Sequence, residues 1–327
     1  MCTAVNYTNG CHLFGRNLDL EINYPVDVVI TPHNYVFKMK DGSEIKNHHA
    51  LIGMGLIQND YPLYFEAIND AGLGMAGTAF AGLAYYAPVQ EGKKNIAPFE
   101  FIPYILGQAS TVEEARKLLE NVNLCDVHFS AEQPNSPLHF LIGDKNESIV
   151  VEQTKEKGFR VYDDPYDVLT NCPDFDWQCK NISIYSQLTG QIITPRFAKD
   201  AKDIDLYSRG MGSTGLPGGV DSVSRFVRAA FTRLNSFCDP NSIEKNVGEY
   251  FHILTNVQQV NGEAEIHPGE YEITQYTSVG DTDSGIFYYT TYYNQNINAV
   301  DMKKENLEGS SLISYPVLRD LNVNIQN

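Results

Sequence analysis

Asn9-Gly10 is the feature that most narrows the folds open to this chain. An Asn-Gly pair accepts the positive φ angles of a tight turn, and here it sits between two strand-like runs, residues 2–7 and 11–17. That is the strongest short-range hairpin signal a sequence carries. A second hairpin is expected where Gly-Asp-Lys-Asn-Glu (143–147) joins residues 138–142 to 148–152. The run Gly-Ile-Phe-Tyr-Tyr-Thr-Thr-Tyr-Tyr at 285–293 is rich in strand formers. Sheet is therefore supplied by the start, the middle and the end of the chain.

Two amphipathic helices accompany it. Ser110-Thr-Val-Glu113 reads as a capping box, followed by Val112, Ala115, Leu119 and Val122 at helical spacing. Asp221 caps the second, whose apolar stripe is Val223, Phe226, Val227, Ala230, Phe231 and Leu234. Antiparallel hairpins with one-sided helices predict an α+β layered fold, not alternating βαβ. No internal repeat, low-complexity tract or linker divides the sequence, so one domain over residues 1–327 is expected.

Composition removes several function classes. With 24 Lys+Arg against 41 Asp+Glu the formal charge is −17, the wrong sign for a nucleic-acid partner. The longest apolar run, residues 50–57, falls well short of the roughly 18 residues a membrane span needs. The opening Met-Cys-Thr-Ala-Val-Asn-Tyr has neither the basic flank nor the apolar stretch of a secretory signal, so a cytoplasmic location is expected. Six cysteines are too sparse for a disulfide framework. Neither Cys172 with Cys179 nor the pair His48-His49 has ligand spacing for zinc, so no metal and no cofactor are expected. Gly72-Leu-Gly-Met-Ala-Gly77 and Gly210-Met-Gly-Ser-Thr-Gly215 match a dinucleotide fingerprint, but neither leads from a strand into a helix. They read as glycine-rich turns. G-x-S-x-G and H-E-x-x-H are both missing.

Cys2 carries the chemistry. Removal of Met1 would leave a thiol and a free α-amine on one residue, with ordinary pKa values of roughly 8.5 and 7.7 to 8.0. One residue then offers both nucleophile and base. If Asn9-Gly10 is a two-residue loop, Cys2 faces Asn17 and shares its sheet face with Asp19; a three-residue loop shifted toward Thr8 puts Arg16 opposite instead. Arg16 would favour the thiolate, and Asp19 could hold the ammonium. The plainer alternative is a half-buried strand cysteine beside a surface ion pair.

Further segments carry a resemblance. Met-Cys-Thr-Ala, Phe-Gly-Arg-Asn-Leu-Asp (14–19), Asp-Tyr-Pro-Leu-Tyr-Phe (60–65), Gly-Leu-Gly-Met-Ala-Gly (72–77), Leu-Thr-Asn (169–171), Gly-Leu-Pro-Gly (215–218) and Ser-Arg-Phe-Val-Arg (224–228) resemble, in order, the choloylglycine hydrolase family. These are the bile salt hydrolases and penicillin V acylases, which are N-terminal-nucleophile hydrolases. The resemblance implies a four-layer αββα sandwich of two antiparallel sheets between helical layers. It makes Cys2 the nucleophile and, through its α-amine, the general base, supported by Arg16 and Asp19. Asn171 and the backbone N–H of Ala79 become the oxyanion donors, and Arg225 joins the charged set, although its helical wheel puts it opposite the apolar stripe. Leu18, Tyr24, Ile57, Phe65, Phe129 and Leu138 sit where the family lines its acyl cleft. Arg209 lies in a segment that borders the site.

The implied reaction is hydrolysis of glycine- or taurine-conjugated bile acids by a cytoplasmic homotetramer. Penicillin V acylase or another N-acyl amidase or acyltransferase is the neighbouring reading, and an inactive binding protein on the same fold is the reading from another class. Where the family has Asn or Tyr, this chain reads Ala-Gly-Thr-Ala79-Phe. Ala79 keeps the backbone donor and loses any side-chain contact to substrate.

Overall fold

In the computed structural model, which describes residues 1–195, 197–198 and 204–327, two large antiparallel sheets stack between helices. The first has six strands in the order Val168–Leu169, Cys2–Thr8 (β1), His12–Leu20 (β2), Ile273–Asp281, Ile286–Thr291 and Asn298–Asp301. The second has eight: Gly158–Asp163, Ser148–Thr154, Leu138–Gly143, Gly74–Ala79, Tyr61–Asn69, Leu51–Gln58, Asp27–Thr31 and Ile313–Pro316. Both predicted hairpins are present, and the strand at Ile286–Thr291 falls inside the tyrosine-rich run.

Side-chain alternation along the second sheet sorts two cores. Val28, Ile30, Ile52, Met54, Ala76 and Leu141 belong to the core that continues into the first sheet. Their neighbours Val29, Leu51, Met75, Phe140 and Ile142 pack with helices α1 (Phe101–Leu106) and α2 (Val112–Leu119). A short helix α3 (Phe175–Asn181) precedes α4 (Ser222–Asn235) and α5 (Ile243–Thr255), and these last two cover the outer face of the first sheet. Tyr250 of α5 donates to the Val5 carbonyl at 2.6 Å, and Asn17 Nδ2 of β2 donates to the Leu254 carbonyl at 2.9 Å. The expected αββα layering is what forms. The first glycine fingerprint turns out to be a packing device: a Cβ on Gly74 would lie 2.3 Å from Phe14 Cγ across the sheet interface.

Three local expectations need correction. Thr111, not Ser110, caps α2 by accepting from the Glu114 N–H, while Glu114 reaches back to the Ser110 N–H at 2.7 Å. The capping logic holds one residue later. In α4 the buried surface is wider than the apolar stripe: Arg225, Arg228 and Ala229 are buried beside Phe226, Val227 and Ala230, and Leu234 is exposed. Strand β1 covers Arg225, and the end of α5 with the loop before α4 covers Arg228, on the face that a helical wheel assigns to water. Finally, β1 pairs β2 in a register that places Cys2 opposite Leu18, so the loop is Asn9-Gly10-Cys11 and neither expected register occurs. Asn9 Nδ2 donates to Asn246 Oδ1 of α5 at 2.9 Å and to the Cys238 carbonyl at 3.2 Å, contacts that fix the turn from outside the hairpin.

Candidate active site

The register decides which groups surround the thiol. Cys2, Ala4, Arg16 and Leu18 share the face directed at the second sheet, whereas Thr3, Asn17 and Asp19 point to the helical side. Arg16 is thus the diagonal neighbour of Cys2, and Asp19 reaches the same strand end from the opposite face.

Arg16 is 1% exposed and held from several directions. Its guanidinium donates to the carbonyls of Gly77 and of Phe65, the latter at 3.3 Å, and its Nε lies 3.7 Å from Glu66 Oε2. Burial pulls the Arg16 pKa down, but the nearby Cys2, Tyr276, Glu66 and Asp19 outweigh it and leave it raised. A permanent cation beneath the thiol follows. Glu66 in turn accepts from Tyr276 Oη at 2.8 Å and Ser278 Oγ at 2.9 Å. Glu66 was not singled out from the sequence, although a carboxylate inside the apolar strand Tyr61–Asn69 was the available signal.

The opposite face holds the second charged group. Arg225, 0% exposed, donates to the Cys2 carbonyl and Thr3 Oγ1, both at 2.6 Å, to Asn171 Oδ1 at 2.7 Å and to the Val220 carbonyl at 2.9 Å. Asp19 Oδ2 lies 4.0 Å from its Nη1. Asp19 Oδ1 accepts from Thr274 Oγ1 at 2.7 Å, and Oδ2 is buried with no hydrogen-bond partner among the described residues. Burial raises the Asp19 pKa, opposed first by Arg225 and then by the chain's terminal ammonium.

Asn171 joins these pieces. Its Oδ1 accepts from the Cys2 N–H at 2.9 Å as well as from Arg225, and its Nδ2 donates to the Ala79 carbonyl at 2.8 Å. An amide nitrogen carries two hydrogens. One is committed to Ala79 and the other has no partner among the described residues. Ser222, the first residue of α4, anchors the segment by accepting from the Asn171 N–H at 2.9 Å. With Met1 in place, Cys2 N is an amide, and the Met1 ammonium pairs with Glu272 and the Asp19 carbonyl.

Cys2, Arg16, Asp19, Ala79, Asn171 and Arg225 therefore come together from six separate positions in the sequence. The apolar candidates divide. Leu18 and Phe65 belong to the core around Cys2, and the Tyr24 ring lies 5.8 Å from that of Phe65. Leu138 pairs directly with Ala79 across the strands. Phe129 packs instead in an aromatic group with Phe99 and Tyr61 against the second core, and Ile57 is exposed at the end of its strand. Arg209 is exposed, in the segment just before Gly210. Among the described residues no cluster of three or more His, Cys, Asp or Glu could hold a metal ion, and no helix is long and apolar enough to cross a membrane.

Such an array can perform acyl transfer through a thiol: a cation beside the sulfur, a carboxylate and guanidinium at the strand end, and amide donors where a carbonyl oxygen would gain charge. Comparison with known proteins agrees. A family model described as linear amide C–N hydrolases, choloylglycine hydrolase family, matches residues 2–315. The chain is 46% identical over 317 residues to a bile salt hydrolase/transferase of Lactiplantibacillus plantarum, covering 97% of each. It superposes on a conjugated bile acid hydrolase from Clostridium perfringens with TM-score 0.91 over 100% of both chains, at 39% identity. A penicillin V acylase from Agrobacterium tumefaciens, 19% identical, has the same fold, with TM-score 0.75 over 96% of this chain and 90% of that one.

Proposed function

We propose, for a chain that belongs to the choloylglycine hydrolase family of linear amide C–N hydrolases, that its substrates are glycine- or taurine-conjugated bile acids and that Cys2 opens their amide bond. The observation that carries the mechanism is the placement of Cys2 at the edge of the sheet interface, above Arg16 and bonded through its own nitrogen to Asn171. Once Met1 is removed that nitrogen is an amine. It takes the thiol proton as the sulfur attacks the carbonyl. The free hydrogen on Asn171 Nδ2 and the Ala79 N–H bind the oxyanion, whose negative charge is stronger in the transition state than in the substrate. Collapse breaks the C–N bond, the α-ammonium protonates the departing amine, and glycine or taurine leaves. Water, deprotonated by the same amine, then cleaves the thioester and returns the thiol. Asp19, whose Oδ2 lacks a partner among the described residues, is suited to hold the ammonium form.

The bile salt reading rests on the 46% identity with the Lactiplantibacillus enzyme, since Ala79 supplies no side chain that separates it from the penicillin acylases. That relative is named hydrolase/transferase, and a thioester here would likewise be open to an amine that outcompetes water. Leu18 and Phe65, which pack in the core around Cys2, and Tyr24, which packs on Phe65, are proposed as the acyl contacts; Leu138 adjoins Ala79 but packs, like Phe129, against the second core, and Ile57 is exposed at its strand end. Arg209 is assigned to the leaving group's carboxylate or sulfonate, which a guanidinium fork can pair. One domain is proposed for residues 1–327, because start, middle and end of the chain interleave in each sheet. All six cysteines are free thiols, in keeping with the proposed cytoplasmic location. The proposed homotetramer rests on the family resemblance and is tested by light scattering. The substrate assignment is tested by measuring glycine and taurine release from glycocholate and taurocholate beside phenoxyacetate release from penicillin V. Faster turnover of penicillin V would overturn it.

A further inference from the structure

His139 and Glu152 are 1% and 2% exposed, lie on adjacent strands of the second sheet, and are absent from the site described so far. His139 Nδ1 is 2.9 Å from Glu152 Oε1, and its Nε2 is 3.2 Å from the Thr170 carbonyl. Both ring nitrogens thus meet acceptors, so the contacts are satisfied when both nitrogens donate. A buried pair of this kind contributes little to stability compared with well-packed apolar side chains. Its position offers another reason for it.

Thr170 immediately precedes Asn171, and the His139 ring also stacks on Phe80 with centroids 4.2 Å apart and planes 6° from parallel. Phe80 immediately follows Ala79. The two segments that His139 touches are therefore the two that would donate to the oxyanion, and they are joined on their far side by the 2.8 Å bond from Asn171 Nδ2 to the Ala79 carbonyl. Contacts run in a closed circuit: Asn171, Ala79, Phe80, His139, Thr170 and back to Asn171. Glu152 fixes the ring from behind, and the same Oε1 accepts from the Phe175 N–H at 3.0 Å, which ties down the chain beyond Asn171.

We propose that His139 is a positioning residue for the oxyanion site, holding the Thr170-Asn171 segment by its Nε2 hydrogen bond and the Ala79-Phe80 segment by ring stacking. The proposal rests on the reading of Asn171 and Ala79 as oxyanion donors. Oxyanion donors act through geometry, because a donor is worth most when it is aimed at the developing charge before the reaction starts. Loosening either segment lowers kcat and leaves substrate affinity nearly as it was.

Two substitutions separate the roles of the ring nitrogens. In His139→Asn the amide nitrogen falls near the place of Nδ1, keeping Glu152 and releasing Thr170; in His139→Gln it falls near Nε2 and keeps Thr170. With taurocholate as substrate, His139→Asn, which loses both contacts, is expected to lower kcat by about ten- to a hundredfold with KM changed by about twofold or less, and His139→Gln, which loses only the stacking, to recover part of that loss. In an Asn171→Ala background His139→Asn should cost clearly less than in the wild type, since its action through Thr170 has lost the donor it positions and only the Ala79-Phe80 arm remains. Should His139→Asn fail to fold, Phe80→Leu carries the same kcat-against-KM test through the stacking contact. Unchanged kcat in folded His139→Asn or Phe80→Leu, equal loss in Asn and Gln, or the full loss persisting in the Asn171→Ala background overturns the proposal. If Asn171→Ala alone keeps full kcat, the oxyanion reading itself fails, a result distinct from any of these.

Discussion

Replacing the Cys2 sulfur by oxygen changes one buried atom and removes the thiol nucleophile beside Arg16 and Asn171. Cys2→Ser is expected to abolish conjugate hydrolysis while leaving the circular dichroism spectrum and melting curve of the wild type. Mass spectrometry of active enzyme should find Met1 gone; full activity with Met1 retained would exclude the α-amine as base, because the nitrogen would still be an amide. Asn171→Ala should lower kcat by roughly a hundredfold with a smaller change in KM, as for a donor used mainly in the transition state. Arg225 calls for a different expectation. Its fully buried guanidinium serves four acceptors, so Arg225→Ala should cost about 3 to 5 kcal/mol of stability as well as activity, read from urea midpoints and kcat together. Arg225→Lys restores the charge but not the fork and should recover stability only in part. A wild-type urea midpoint for Arg225→Ala would return that residue to the solvated surface its helical wheel implies.

Among the elements, the first hairpin shows how a strong local signal leaves the decisive detail open. Asn9-Gly10 announces a turn, and several loops satisfy it; each register puts a different set of side chains on the face of Cys2. What selects the observed one is contact with the segment before α5. Gly10 has φ +77, and a Cβ there would lie 1.9 Å from the Pro240 carbonyl oxygen. Gly10→Ala therefore meets both an unfavourable backbone angle and a clash, and should lower stability by more than about 1 kcal/mol. Because the turn sets the register, the variant is also expected to lose activity beyond what its urea midpoint explains. A loss of stability with kcat intact would show that the register is held elsewhere. The helix caps behaved differently: Asp221 caps α4 as expected, while the α2 cap moved one residue, from Ser110 to Thr111, since either hydroxyl could begin that helix.

For the whole molecule, burial of carboxyl groups gives stability a pH dependence in the working range. Desolvation raises Glu66 to about 7, with Arg16, Tyr276 and Ser278 opposing it, and raises Asp164 to about 8. Both folded values exceed the ordinary carboxyl pKa of about 4. Between that value and the folded one the native state holds protons the unfolded chain has released, so this contribution is full at low pH and is lost as pH rises through about 7 to 8. His12, lowered to about 4 by burial, has the opposite slope, but its change is complete once pH exceeds the ordinary histidine value of about 6.5. Urea midpoints should therefore fall between about pH 5 and 8, most steeply between about 6.5 and 7 where His12 no longer opposes, and Glu66→Gln should flatten the part of the decline below about pH 7. An unaltered slope in Glu66→Gln would show that the Arg16 pair keeps Glu66 ionised throughout.

Local physics is legible in the residues themselves. Turn pairs, capping side chains and the spacing of apolar residues act over a few positions, so the hairpins, the two amphipathic helices and the layered α+β arrangement could be read from the sequence, and Cys2 identified by its place beside Met1. The charged support for Cys2 was visible only as residue types and a family resemblance. Arg225 looked solvated because its own helix does not show what covers the other face, and Glu66, His139 and Glu152 gave no spacing signal because their partners lie on other strands. The roles of Glu66, His139 and Glu152 depend on two sheets closing over one another at a register fixed by Asn9 and α5, and that of Arg225 on α4 docking over β1. Inside that interface a charge must find its partner, because water cannot supply one.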